Sequence, residues 1–266
     1  LYKNLLSNGV EDPVLNIFKW VYDVTTENNG KRFAMLGRLL EKLNARGMEV
    51  ALLKGAALVT EYYRDYGLRP MLDADLLVPT RRAREAVEML MELGWSSSIT
   101  PLKGFSDMDA LSRLGWKPEE RKLSEYSDDF FTVRHGQDLT NPDEFTIDLH
   151  WHALHGYNLP GADEPFWQGA RRVSLEGAPV LALCPEDLLL QVCEHGMRWD
   201  PTPPVRWVAD AAAILRREGE GLDWGRFIEA ARRHGVVLPV REALRYLRTI
   251  LPDAVPERVQ TRLDSE

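Results

Sequence analysis

Cysteine is scarce in this chain: Cys184 and Cys193 are the only two in 266 residues. They fall in one predicted helical stretch, nine residues apart, too far along the axis for a disulfide. Free thiols point to a reducing cytoplasm. Long apolar runs are missing too. None approaches the roughly 18–20 residues of a membrane span, so no membrane partner is expected. Leu1 opens the chain without a signal-peptide pattern. The missing initiator methionine and the polar Asp264-Ser265-Glu266 end read as trimming. Basic residues are outnumbered, leaving a formal net charge of −8. That balance repels duplex phosphates and argues against a duplex nucleic-acid partner, while still allowing a local basic pocket. Internal repeats and low-complexity tracts are absent.

What remains has the apolar content of an ordinary globular protein and enough length for one large domain or two modest ones. Val14, Ile17, Phe18, Val21 and Tyr22 recur at helical spacing, and Asn28-Asn29-Gly30 is predicted to end that helix. A second helix is predicted from Lys31 to about Arg46, then a strand over Met48 to Leu53. Lys54-Gly55-Ala56 reads as a turn into a helix that runs through Tyr62 and Tyr63 to about Asp65. Leu72 to Val78 reads as a strand, and Pro79-Thr80 opens a helix with Arg81, Arg82 and Arg84 on a solvated face. Residues 96–127 are poorly periodic and read as an insertion over the site. Phe130 to Val133 and Phe145 to His152 are predicted to pair as an antiparallel hairpin. From Pro185 the pattern turns helical, with further helices near 205–217, 224–234 and 240–250. The fold class is therefore α/β (α+β): a small mixed or antiparallel sheet flanked by helices, with a helical C-terminal part. The divisions expected are 1–47, 48–155 and 156–266.

The unusual feature is Asp73 and Asp75 inside the apolar run Met71-Leu72-x-Ala74-x-Leu76-Leu77-Val78. Residues i and i+2 of a strand share a face. Two carboxylates on one apolar face repel each other and resist burial unless a cation neutralises them. A third acid, Asp148, lies between Ile147 and Leu149 on another predicted strand. Three carboxylates on two strands can hold two Mg²⁺ about 3.5–4 Å apart, the arrangement that clamps attacking and leaving oxygens in phosphoryl transfer.

This order of elements resembles the polymerase-β-like nucleotidyltransferase superfamily. Leu53-Lys54-Gly55-Ala56-Ala57, Tyr62-Tyr63, Arg69, Asp73-Ala74-Asp75-Leu76-Leu77-Val78, Asp148-Leu149-His150-Trp151 and Pro185-Glu186-Asp187-Leu188 resemble more closely a bacterial nucleotidyltransferase family whose acceptors are mostly unassigned. The likeness runs from Met48 to Leu215. It implies that Asp73 and Asp75 bind both Mg²⁺ ions, and that Asp148 binds the acceptor-side ion and helps deprotonate the acceptor hydroxyl. It implies further that Gly55 and Ala56 cradle the triphosphate of an NTP, ATP by default, with backbone N–H groups. Where the superfamily has Gly-Ser or Gly-Gly, this chain reads Gly55-Ala56, and Lys54 offers a point charge instead. Arg69 is read as a phosphate ligand or as a partner of the strand acids. The acceptor implied is a sugar, an antibiotic-like small molecule or a hydroxyl on a peptide or protein.

Two alternatives stand beside this reading. One is a non-catalytic nucleotide-binding or interaction module on the same fold, suggested by Gly55-Ala56. The other is a His/Asp metallohydrolase using His150, His152 and His155 with zinc or iron, since His150 and His152 would share the strand face of Asp148. In the favoured reading His150 or His152 supports Asp148, Trp151 faces the core, and His195 either reaches the site or packs. Arg206 and Asp210, spaced i, i+4, are expected to form a surface ion pair.

Overall fold

The structure is a computed structural model and describes residues 2–97, 128–156, 158–198 and 205–265. Six short strands form its sheet: β1 (Ala51–Leu52), β2 (Asp73–Leu77), β3 (Gly136–Thr140), β4 (Thr146–His150), β5 (Arg171–Leu175) and β6 (Ala178–Ala182). Their spatial order is β3-β4-β2-β1-β6-β5. β2 is parallel to β4, β1 is parallel to β6, and the remaining pairs are antiparallel. Strands covered on both faces must be apolar throughout. β1 and most of β2 and β4 meet that demand, and the buried exceptions are the acids and His150.

Helices α1 (Tyr2–Ser7) and α2 (Val14–Ala45) precede the sheet. The sequence predicted a break at Asn28-Asn29-Gly30, yet α2 runs unbroken through it. Asn29 is buried, and its Nδ2 donates to the carbonyls of Tyr66 and Arg69, each at 2.8 Å. Tertiary hydrogen bonds override the weak local propensity of that triplet. One turn later Arg32 Nη2 donates to the Leu72 carbonyl at 3.0 Å, so this single helix holds the backbone that leads into β2. Next come α3 (Lys54–Leu58), continued by a π-helical turn over Val59–Tyr63, and α4 (Ala83–Glu92). The Lys54-Gly55-Ala56 turn is thus the first turn of a helix.

Phe130 to Val133 is a second correction. These residues belong to a helix, α5 (Asp128–Val133), and the strand that pairs with β4 is Gly136–Thr140. Short apolar runs do not distinguish strand from buried helix. The choice here follows from Asp128 and Asp129 in the first helical turn, and from Phe130 and Phe131 packing on the Trp151 ring at centroid distances of 5.8 and 5.1 Å. The predicted insertion lies, from residue 98, outside the described residues.

The sheet also extends past 155. Beyond α6 (Glu164–Gly169), β5 and β6 form a hairpin whose turn, Glu176-Gly177, has positive φ at both residues, +50° and +85°. β6 then pairs with β1. The helical part follows as α7 (Pro185–Gly196), α8 (Arg206–Glu218), α9 (Trp224–Arg233), α10 (Val237–Ile250) and α11 (Glu257–Asp264). One continuous apolar cluster unites strands and helices. No described helix is long and apolar enough to cross a membrane.

Candidate active site

The parallel pairing of β2 with β4 places Asp75 directly opposite Asp148. Partners in register share a sheet face, and Asp73 joins that face two residues before Asp75. Asp75 and Asp148 are 6% and 7% exposed, whereas Asp73 opens to solvent at the strand's start. The antiparallel pairing of β3 with β4 sets a further acid, Asp138, opposite Asp148. Three neighbouring strands therefore contribute a row of carboxylates across one face.

Two side chains offset this charge. The Lys54 ammonium contacts Asp75 Oδ1. His150, 2% exposed, places Nε2 at 3.2 Å from Asp75 Oδ1 and 3.1 Å from Asp148 Oδ2. Facing two carboxylates, that nitrogen is assigned the proton. Burial alone would raise the pKa of Asp75, but Lys54 and the hydrogen bond from His150 outweigh it and hold the carboxyl well below the usual range. Burial would lower the Lys54 pKa, and Asp75 and Asp148 raise it instead. Burial would likewise lower His150, and Asp148 raises it. Asp73, although it opens to solvent at the strand's start, lies close enough to the cluster that desolvation and then repulsion from Asp75 push its pKa up, and Lys54 offsets only part of that.

The support lies in the surrounding elements. Leu53 donates its N–H to the Asp75 carbonyl at 3.1 Å, tying the start of α3 to β2. The Lys54 N–H donates to Gln191 Oε1 at 3.1 Å, and Gln191 Nε2 donates to the Ala153 carbonyl at 2.9 Å. One glutamine of α7 thus clamps both the Lys54 turn and the exit from β4. Lys54 has φ of +37°, a conformation a residue with a Cβ keeps only where its surroundings impose it.

Arg69 pairs with neither strand acid. Its Nε and Nη2 donate to Asp210 Oδ1 and Oδ2, both at 2.9 Å, and the pair is buried. Tyr63 Oη also donates to Asp210 Oδ1 at 2.9 Å. The predicted Arg206–Asp210 surface pair is therefore replaced: Asp210 faces inward to Arg69, and Arg206 donates to the Pro70 carbonyl at 3.0 Å. A Cβ on Gly55 would collide with the Arg69 guanidinium, which explains glycine there. Ala56 is fully buried beside it in α3.

The donors suit a hard divalent cation, which takes carboxylate oxygens and waters. The Lys54 ammonium seated on Asp75 shows that the cluster accepts a positive charge there. His135, Asp148 and His150 also offer ligand atoms that all lie within 4.8 Å of one another.

A family model, described as an uncharacterised nucleotidyltransferase, matches residues 1–252. The chain belongs to that nucleotidyltransferase family. No curated relative matches it by sequence. Among solved structures it is similar to the antibiotic-resistance factor ANT(2'')-Ia, at 15% identity and a TM-score of 0.48, covering 84% of this chain and 96% of that one. It is also similar to an antigenic nucleotidyltransferase-like protein from Paracoccidioides brasiliensis, at 14% identity and a TM-score of 0.44, covering 83% of this chain and 88% of that one. A third is the lincomycin-bound lincosamide antibiotic adenylyltransferase LnuA, at 9% identity and a TM-score of 0.39, covering 67% and 93%.

The other histidines of this nucleotidyltransferase separate. β4 ends at His150, so His152 does not share the Asp148 face; its Nδ1 lies 2.7 Å from Asp163 Oδ2, and Asp163 Oδ1 accepts the Ala153 N–H at 2.9 Å. His155 stacks edge-on to His135 at 4.6 Å between centroids, and His135 lies 5.3 Å from the His150 ring. His135, Asp138, Gln191 and Gly136 were missed from the sequence. Gly136 carried a readable signal, since glycine within a strand marks close approach: a Cβ there would sit 2.8 Å from the Leu149 carbonyl oxygen and 3.3 Å from Asp148 Oδ1.

His195, at the end of α7, is half-buried and its pKa is lowered to about 4 by burial, then by the Lys54 and Arg198 charges. In the unfolded chain it takes its proton near 6.5. Its contribution to stability is therefore full above pH 6.5 and is lost as pH falls toward 4, by about 3 kcal/mol in total. Urea melts of wild type and His195→Gln between pH 7 and 4 are expected to show that much less acid loss in the variant. Parallel pH profiles would count against the assignment.

Proposed function

We propose that this nucleotidyltransferase moves an NMP group from an NTP to a hydroxyl acceptor in a magnesium-dependent reaction. The observation that supports it most directly is the register of Asp75 against Asp148, with Asp73 on the same face. Asp73, Asp75 and Asp148 would hold the Mg²⁺ ions, two by the chemistry of the family. Magnesium supplies Lewis-acid charge that offsets the negative charge of the reacting phosphate. Asp148 accepts the proton of the acceptor hydroxyl, whose oxygen bonds to the α-phosphorus. The bond from that phosphorus to the α,β-bridging oxygen breaks, and pyrophosphate leaves with the electron pair. His150 fixes the orientation of Asp75 and Asp148 through Nε2. Gly55 and Ala56 belong to the phosphate side in this reading. The acceptor is a small molecule, a sugar or a hydroxyl of a peptide or protein, and ATP is the first donor to test.

The defining experiment is pyrophosphate release from each of the four NTPs over a panel of such acceptors. A binding test accompanies it. At 100 times Kd, Mg²⁺-NTP stabilises by about 2.7 kcal/mol, a rise in melting temperature of roughly 5–10 °C for a domain of this size. Asp73→Ala is expected to abolish the shift. An equal shift without metal would remove magnesium from the reading.

The His135–Asp148–His150 grouping favours a second reading, a zinc or iron hydrolase, since imidazole suits those ions. Stoichiometric zinc in the purified protein, lost in His150→Ala, would select it. It leaves Asp73 and Asp75 without a role.

A further inference from the structure

We propose that Lys54 occupies the metal seat on Asp75 until a nucleotide arrives, so that the divalent cation enters with the NTP and not before it. This inference rests on the magnesium reading above. Asp75 is 6% exposed, and the Lys54 side chain is 14% exposed where the two meet. The contact is thus largely closed to water. Like charges at contact distance in such a place oppose each other far more than in bulk solvent. A divalent ion on Asp75 and an ammonium on the same oxygen are therefore mutually exclusive.

The lysine backbone is pinned. Its N–H is held by Gln191, and the preceding residue is bonded to the Asp75 main chain. Only the four-carbon stem can move, and it is flexible. An incoming triphosphate gives the displaced ammonium a new anion, as the metal takes its old one. One side chain thus serves as counter-ion to the empty carboxylates and as phosphate ligand in the loaded enzyme. Metal alone must push the ammonium off Asp75 with no phosphate to receive it, and nucleotide alone must draw the lysine away from acids that no metal has yet neutralised. Binding of either favours the other, and the coupling is reciprocal.

The test is Mn²⁺ binding to the full chain, followed by electron paramagnetic resonance, with and without the α,β-methylene analogue of ATP. Each titration is corrected by the same one without protein, so that Mn²⁺ held by the analogue in solution is not counted. Without nucleotide, Lys54→Met is expected to bind Mn²⁺ at least about tenfold more tightly than wild type. The analogue should tighten Mn²⁺ binding at least about tenfold in wild type and much less in the variant. Lys54→Gln, shorter and neutral, serves as the second variant and is expected to behave alike. Equal Mn²⁺ affinity in wild type and the folded neutral variants would overturn the inference. Asp75→Asn, measured with the analogue present, keeps the two questions apart. If it loses Mn²⁺, the metal reading stands whatever Lys54 does; if it binds as wild type does, the metal reading itself falls.

Discussion

On the proposed magnesium reading, Asp75→Asn is expected to lower nucleotidyl transfer by about three orders of magnitude or more, the effect of removing several kcal/mol of transition-state charge stabilisation where a metal would act. Asparagine keeps the shape and one acceptor oxygen, but it removes the charge to which every nearby group is adjusted. Asp75 sits opposite Asp148, receives the Lys54 ammonium and faces His150 Nε2. Neither neighbouring strand acid holds the same position. Asp73 is exposed at the edge, and Asp138 lies beyond Asp148 on β3. The measurement is pyrophosphate release at saturating NTP, with circular dichroism melts confirming that the variant folds. Activity within tenfold of wild type in a folded Asp75→Asn protein would remove the strand acids from the chemistry.

The second large effect is on stability and lies away from the reacting atoms. Asp210→Ala leaves the Arg69 guanidinium buried without its carboxylate and deprives Tyr63 of its acceptor. Breaking a buried pair from one side costs about 3–5 kcal/mol, mostly the cost of the stranded charge. A melting temperature lower by roughly 10 °C is expected. The double variant Arg69→Met/Asp210→Leu should lose less than Asp210→Ala alone, because no charge is left unpaired. If Asp210→Ala melts within about 1 kcal/mol of wild type, the pair is not the clasp between the segment before β2 and helix α8. The pair also bears on the site through Gly55, whose missing side chain is the space the guanidinium fills. Arg69 was expected to meet a phosphate or the strand acids. The structure instead joins it to α8, and a role in binding phosphate would have to come from the remaining Nη1.

Much of the architecture was legible because its signals were local and strong. Asp73 and Asp75 interrupt an apolar run at a spacing of two, and that pattern alone implies a strand with two acids on one face. Pro185 with Glu186 and Asp187 behind it marks the start of α7 for reasons confined to one helical turn. The errors fall where distant partners set the outcome. Asn28-Asn29-Gly30 should end a helix by its own preferences, but Asn29 finds two carbonyls some forty residues away. Phe130 and Phe131 suit a strand until Trp151 is placed against them. His150 and His152 look equivalent by spacing until the strand ends between them and Asp163 takes the second.

From the sequence alone came the family, the mixed α/β class and the three acids to examine, since each depends on residue type and short-range period. Only the folded chain could decide which acids face one another, because strand register is a relation between segments seventy residues apart. It also decided that Lys54 rests on Asp75 and Arg69 on Asp210. Ion pairs of that kind form wherever burial brings opposite charges together, and no spacing along the chain encodes the choice of partner.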